Sequence, residues 1–175
     1  MLKIDPKKTE TKIVQEFLLS SVGPRPIALA STIDIKNIPN LSPFSFFNVF
    51  SGNPPILIFS PARRIRNNTE KDTLRNLNEV KEVVINVVSE DMTKKMVKSS
   101  LDYDSDIDEF RESGLTHLQS ELIKPFRVKE SPVQMECKVN KIISLGNSGG
   151  SGNLIICEIL LIHICEKILD EKNRI

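Results

Sequence analysis

The chain has 175 residues, and its 24 Lys and Arg nearly cancel its 23 Asp and Glu, leaving a formal net charge of +1. That length fits one domain spanning residues 1–175, with a core large enough to need neither disulfides nor a structural metal. The charge balance lacks the basic excess of a nucleic-acid binder. No apolar run of about 20 residues is present to span a membrane, and the opening MLKIDPKKTETK has no signal-peptide core. The expectation is a cytoplasmic protein with neither nucleic acid nor membrane as a partner.

Residues 9–20 carry Ile13, Phe17 and Leu18 at helical spacing, which predicts a short amphipathic helix stopped by Gly23-Pro24. PIALASTI (26–33) is almost continuously apolar, as in a strand buried on both faces. A turn at 34–39 leads to a second strand through Leu41 and on to Phe47. Pro43 cannot donate to a ladder, so it marks an edge or a bulge there. Alternation puts Ser42, Phe44 and Phe46 on one face of this strand and Ser45 and Phe47 on the other.

Pro54-Pro55 introduces a third strand, ILIFS, followed by the basic loop ARRIRNN and a helix over 72–80. VVINVV (83–88) predicts a strand, and Ser89 or Asp91 can cap a helix carrying Met92, Met96 and Val97. Residues 99–114 read as acidic and mostly irregular. The stretch 133–145 alternates, with Gln134, Glu136, Lys138 and Asn140 expected to face out. GNSGGSGN then joins it to LIICEILLIHI as a long hairpin. Six strands with only short helices between them argue for a barrel over a layered α/β sheet.

Among motifs that could carry chemistry, SPARRIRNNTEKDTLRN stands out. A strand ends at Ser60, Arg63, Arg64, Arg66 and Lys71 follow, and a helix begins near Asp72-Thr73. Free N–H groups at a helix start beside cationic side chains make an anion site, and the arginine fork can bond two phosphate oxygens at once. The alternative is a solvated basic loop.

Other signals are weaker. GNSGGSGN has glycines but neither phosphate-loop spacing, and it joins two strands, so it reads as a flexible turn. The alternating aspartates from Asp102 to Asp108 resemble the start of a calcium loop. Ile107 stands where that loop needs glycine, and Ser113 stands in place of its last Glu. Cys137, Cys157 and Cys165 form no CxxC pair and read as buried reduced thiols. The two histidines lie at no ligand spacing from a cysteine, so no metal site is expected. His163 falls in a strand pattern and is expected to be structural.

Taken together, GPRPIALASTID (23–34), NLSPFSFFN (40–48), NPPILIFSPARR (53–64), KDTLRN (71–76), DEF with SGL (108–115), ESPVQMECK (130–138) and SGNLIICEILLIHI (151–164) resemble the flavin reductase-like, flavin mononucleotide (FMN)-binding split-barrel family. The resemblance spans nearly the whole chain in consistent order. It implies a mainly β fold: a six-stranded antiparallel Greek-key split β-barrel with short peripheral helices, forming a homodimer with FMN in a cleft between subunits.

Carried onto this sequence, the resemblance puts Ser31, Thr32, Ser45 and Asn48 against the flavin ring and ribityl chain. It puts Ser60, Arg63, Arg64, Lys71 and Thr73 against the phosphate. The implied activity is transfer of hydride from NADH or NADPH to flavin, with no proton-transfer residue required. An electron carrier or redox sensor without nicotinamide turnover is the alternative. A flavin-dependent monooxygenase or an electron-transfer protein is the implied partner. Two features depart from the family pattern. Asn37 takes the place of a turn glycine, which Asn tolerates, and the chain ends at Ile175 where family members continue with a tail near the flavin.

Overall fold

The apolar run after Pro26 forms β1 (Ala28–Ile33), buried at every residue. Its two faces enter different clusters. Ala28 and Ala30 join the main core with Phe44, Leu57, Phe59, Leu74, Leu77 and Ile85. Leu29 joins Leu41, Met92, Met96, Phe110 and Val128 on the other side. A strand covered on both faces has no solvent side to alternate toward, and that is why its sequence reads as a continuous apolar run. The computed structural model describes all of residues 1–175.

Around β1 lie β2 (Pro39–Phe44), β3 (Phe47–Gly52), β4 (Pro55–Phe59), β5 (Glu82–Val87), β6 (His117–Leu118), β7 (Arg127–Val128), β8 (Val133–Ser144) and β9 (Asn153–Ile164). Seven of them form one antiparallel sheet in the order β2-β1-β5-β8-β9-β4-β3, and β6 and β7 pair separately. The sheet's two edge strands, β2 and β3, are consecutive in sequence and joined only by Ser45 and Phe46. Two linking residues reach only about 10 Å, so the sheet must curl until the end of β2 comes close to the start of β3, while the two edges stay unpaired along their length. The Ser60 N–H, just past β4, donates to the Phe46 carbonyl (2.9 Å), which carries the β3–β4 ladder one residue into the link. The result is a split barrel.

The six expected strands become seven because the second one breaks at the seam. Pro43 sits on edge strand β2, where its missing N–H costs no ladder bond. In the turn before β2, Asn37 adopts the left-handed conformation (φ 66°).

Four helices decorate the barrel: α1 (Thr11–Ser21), α2 (Asp72–Glu79), α3 (Thr93–Lys98) and α4 (Glu109–Ser113). α2 sends Leu74 and Leu77 into the main core. α1 forms as its periodicity predicts but buries none of its residues. α4 corrects the irregular reading of residues 99–114. Asp108 caps it by accepting from the Phe110 N–H, and Gly114 ends it at φ 72°.

β8 corrects another expectation. Lys138 and Asn140 face out, but Gln134 and Glu136 are buried. Residues 119–128 fold over that part of the strand. The Glu121 and Leu122 N–H groups donate to the Glu136 carboxylate (2.9 and 2.8 Å), and Gln134 Nε2 donates to the Val128 carbonyl (2.9 Å). Burial pushes the Glu136 carboxyl up, but the two backbone donors and His163, whose Nε2 is 2.8 Å away, hold it below the ordinary value. Cys137 and Cys157 are buried free thiols, whereas Cys165 lies past β9 and is exposed.

Candidate functional site

The barrel seam, the basic loop and α4 together surround a cleft of ≈ 530 Å³. Of the residues expected to hold flavin, the cleft brings together Ser45, Ser60, Arg63, Arg64, Lys71 and Thr73. Ser31 and Thr32 lie within buried β1, outside the cleft lining, and Asn48 sits on β3, exposed, with its Oδ1 accepting from the Val49 N–H. Thr32 reaches the cleft indirectly, since its Oγ1 donates to Asn40 Oδ1 (3.3 Å).

The basic loop is fixed by its own cations. Arg63 Nε donates to Asn68 Oδ1 (2.8 Å), Nη2 to the Asn68 carbonyl (2.6 Å), and Nη1 pairs with Glu70 (2.8 Å). Arg64 donates to the Glu70 carbonyl (2.6 Å) and pairs with Asp102 (3.2 Å), which also holds Arg66. Lys71 is different. No carboxylate lies within 4.0 Å of its ammonium, which sits over the Phe44 ring, 5.2 Å from the centroid. Burial, and then the neighbouring Arg64, push its pKa below the ordinary lysine value. Asp102 opposes that shift but forms no ion pair with Lys71, so a partly desolvated cation faces the cleft, poised for an anion.

The GNSGGSGN turn corrects the expectation of a loose connection. The Arg63 N–H donates to the Ser151 carbonyl (2.9 Å), the Gly150 N–H to the Arg63 carbonyl (3.0 Å), and Asn68 Nδ2 to the Asn147 carbonyl (2.9 Å). A Cβ at Gly149 would lie 2.8 Å from the Ile65 carbonyl oxygen. The glycines let two backbones touch, and the turn braces the basic loop from behind.

Sequence reasoning missed the cleft floor. Asn40 Nδ2 donates to Glu109 Oε1 (2.6 Å), the Leu41 N–H donates to Glu109 Oε2 (3.2 Å), and Thr73 Oγ1 donates to Asn40 Oδ1 (2.9 Å). Burial pushes the Glu109 carboxyl up to about 7. The Asp108…Gly114 pair of helix-end residues was the available signal for α4, and hence for Glu109. Asn40 offered none.

The fold and this cleft define a flavin reductase-type split barrel, and the comparisons agree. The chain belongs to the flavin reductase like domain family, whose model matches residues 20–173. An uncharacterized protein of Aquifex aeolicus is 39% identical over 165 residues, covering 94% of this chain and 82% of the relative. The crystal structure of nitrilotriacetate monooxygenase component B from Bacillus cereus superposes with a TM-score of 0.92 at 30% identity, covering 100% of this chain and 86% of that one. The 2-nitrobenzoate 2-nitroreductase NbaA of Pseudomonas fluorescens superposes at 0.84 with 29% identity, covering 99% and 82%. No helix here is long and apolar enough to cross a membrane.

Proposed function

We propose that this protein binds FMN in the cleft and acts as a flavin reductase, with NADH or NADPH as the electron donor. The observation that carries the reading is Lys71, the one cation of its segment left without a carboxylate, beside the first turn of α2. The phosphate would be held by Lys71, the Ser60 hydroxyl and the α2 N–H groups around Thr73. Arg63 and Arg64 hold the loop in shape and add positive potential. Ser45 and Phe46, at the seam, line the wall on which the ring system would lie. Thr32 acts through Asn40 and Asn48 across a subunit contact, while Ser31, whose buried hydroxyl has no hydrogen-bond partner, adds no contact of its own. Bound flavin supplies the hydride-accepting ring, which the protein need only orient and screen from water. The likeness to a monooxygenase component supports a flavin-dependent monooxygenase as the consumer of reduced flavin.

Anaerobic mixing of the FMN-loaded protein with NADH or NADPH, followed by absorbance, tests this reading. Bleaching with at least one nucleotide is expected, reduced in Asn48→Ala and retained in His117→Ala and His163→Gln. Loss of bleaching in a histidine variant that still binds FMN reveals a catalytic group outside this scheme. If dithionite bleaches the flavin and neither nucleotide does, the protein is an electron carrier or sensor.

A further inference from the structure

The cleft floor carries a carboxyl group that phosphate binding leaves unexplained. Glu109 is 9% exposed and lines the cleft beside Asn40 and Thr73. The charge that acts on it most is another carboxylate, Asp72. Arg63, Arg64, Arg66, Lys71, Asp102 and Tyr103 share the cleft with it, Asp34 and Arg75 share the smaller hollow on its other side, and Asp72 lines both. Asp108, which caps α4, and Glu112 within it flank Glu109. Arg111 pairs toward Asp108 (3.7 Å), and His117 faces the same carboxylate (3.5 Å). α3 packs on α4 and carries Lys94, Lys95 and Lys98, of which Lys95 is turned to Glu130 (3.4 Å).

Asp72 is paired with Arg64 and Arg75, and Asp102 with Arg64 and Arg66. Glu109 has only neutral donors, Asn40 and the Leu41 N–H. A phosphate ester brings roughly −1.5 to −2 charge into this space. Among the carboxylates that line the cleft, Glu109 is the one with no arginine to lean on.

We propose that Glu109 is the proton-holding positioning residue of this site: it takes up a proton from solvent as the phosphate-bearing flavin enters, and as the neutral acid continues to hold Asn40, which fixes Thr73 at the start of α2. This rests on the FMN reading above. The consequence has a definite sign. With its carboxyl poised at about 7, the free protein holds only part of a proton near neutrality, and the complex holds more. FMN affinity therefore falls as pH rises above 7. The second ionisation of the flavin phosphate, near pH 6, acts in the opposite sense and is nearly complete by then.

The test measures FMN and riboflavin dissociation constants by flavin fluorescence from pH 7 to 9, for wild type and Glu109→Gln. In parallel, the carbon-13 shift of the Glu109 carboxyl in the wild type is titrated with and without FMN. The expected result is an FMN constant that weakens about threefold or more across the range in wild type, a flatter riboflavin profile, and a shallower slope in Glu109→Gln, whose remainder belongs to Lys71, the other group of the cleft with a lowered charge state at high pH. The carboxyl midpoint should lie near neutrality and move up when FMN is added. A flat wild-type profile, an unchanged slope in Glu109→Gln, or a midpoint that ignores FMN overturns the proposal. Should the variant fail to fold, the wild-type carboxyl titration decides alone. Absence of FMN binding at every pH is a different outcome, which removes the FMN reading and this inference with it.

Discussion

Four cations follow Ser60, and the sequence cannot tell them apart, yet their partners divide them. Arg63, Arg64 and Arg66 find carboxylates within the fold, and Lys71 does not. Lys71→Ala should therefore weaken FMN about ten- to a hundredfold, the cost of one charge-assisted hydrogen bond, while leaving riboflavin nearly unchanged. Arg63→Ala should weaken both ligands and lower the melting temperature, because it removes three bonds that shape the loop. Equal fluorescence titrations of the two flavins in wild type, unaltered by Lys71→Ala, would refute the phosphate assignment. Buried carboxylates were the least legible residues. Glu136 sits at an alternating polar position and reads as solvent-facing, but alternation reports only the barrel side of a strand, not a loop folding over its outer side. Glu109 and Glu136 also shift in opposite directions. The folded state raises Glu109 above its unfolded value, so it binds more protons than the unfolded chain between about pH 4.5 and 7. Its contribution is thus full below that window and is lost as pH rises through it, on the order of 3 kcal/mol. Glu136 is lowered, so its contribution is present above the ordinary carboxylate range and is lost as pH falls. Urea melts from pH 5 to 8 should show a downward slope with rising pH that Glu109→Gln removes.

At the scale of elements, the basic loop owes its shape to a turn that lies far along the chain, with Asn68 bonded to Asn147 and Arg63 to Gly150 and Ser151. Glycine content alone marks that turn as flexible, and only the folded chain shows that the glycines admit a neighbouring backbone. Gly149→Ala would press a Cβ onto the Ile65 carbonyl, and backbone cannot yield as a side-chain end does. About 1–3 kcal/mol of stability should be lost, together with FMN affinity. Gly52→Ala, whose Cβ meets nothing within 4 Å, serves as the control. Comparing the two by thermal melts and FMN titration separates bracing from a general effect of replacing glycine. The strands themselves were mostly readable, because period-two alternation and the apolar run of β1 follow directly from which faces are covered. The break at Ser45-Phe46 was not, since Pro43 marks only an edge or a bulge two residues earlier and neither Gly nor Pro stands at the break itself. It arises from closure, in which a strand leaves one sheet edge and joins the other. α4 escaped for a different reason: five residues are too few to show a helical period, although its Asp108 and Gly114 ends were in view.

The whole molecule leaves more apolar surface uncovered than its own core requires. Val49 and Phe50 on β3 are exposed, Phe50 to 65%, as are Leu160, Ile162 and Ile164 on β9. α1 adds Ile13, Phe17 and Leu18, an amphipathic face with no buried residue. The periodicity of α1 was legible in the sequence, but what its apolar stripe packs against was not, because a stripe announces burial without naming the partner. β3 is also a sheet edge, with unpaired backbone groups that invite cover. Phe46, adjoining it, is part-exposed and lines the cleft, so whatever covers β3 also walls the candidate site. A second copy of the chain would supply such cover through a two-fold contact, in which each patch meets its like. The expected outcome is a light-scattering mass of twice the 19.7 kDa chain at micromolar concentration. Phe50→Glu, which places a charge in the middle of the patch and leaves the barrel core untouched, should shift the mass toward one chain and weaken FMN binding together. A wild type that stays monomeric at that concentration and still binds FMN would show that each chain carries a complete site, and that the apolar β3 edge serves another purpose.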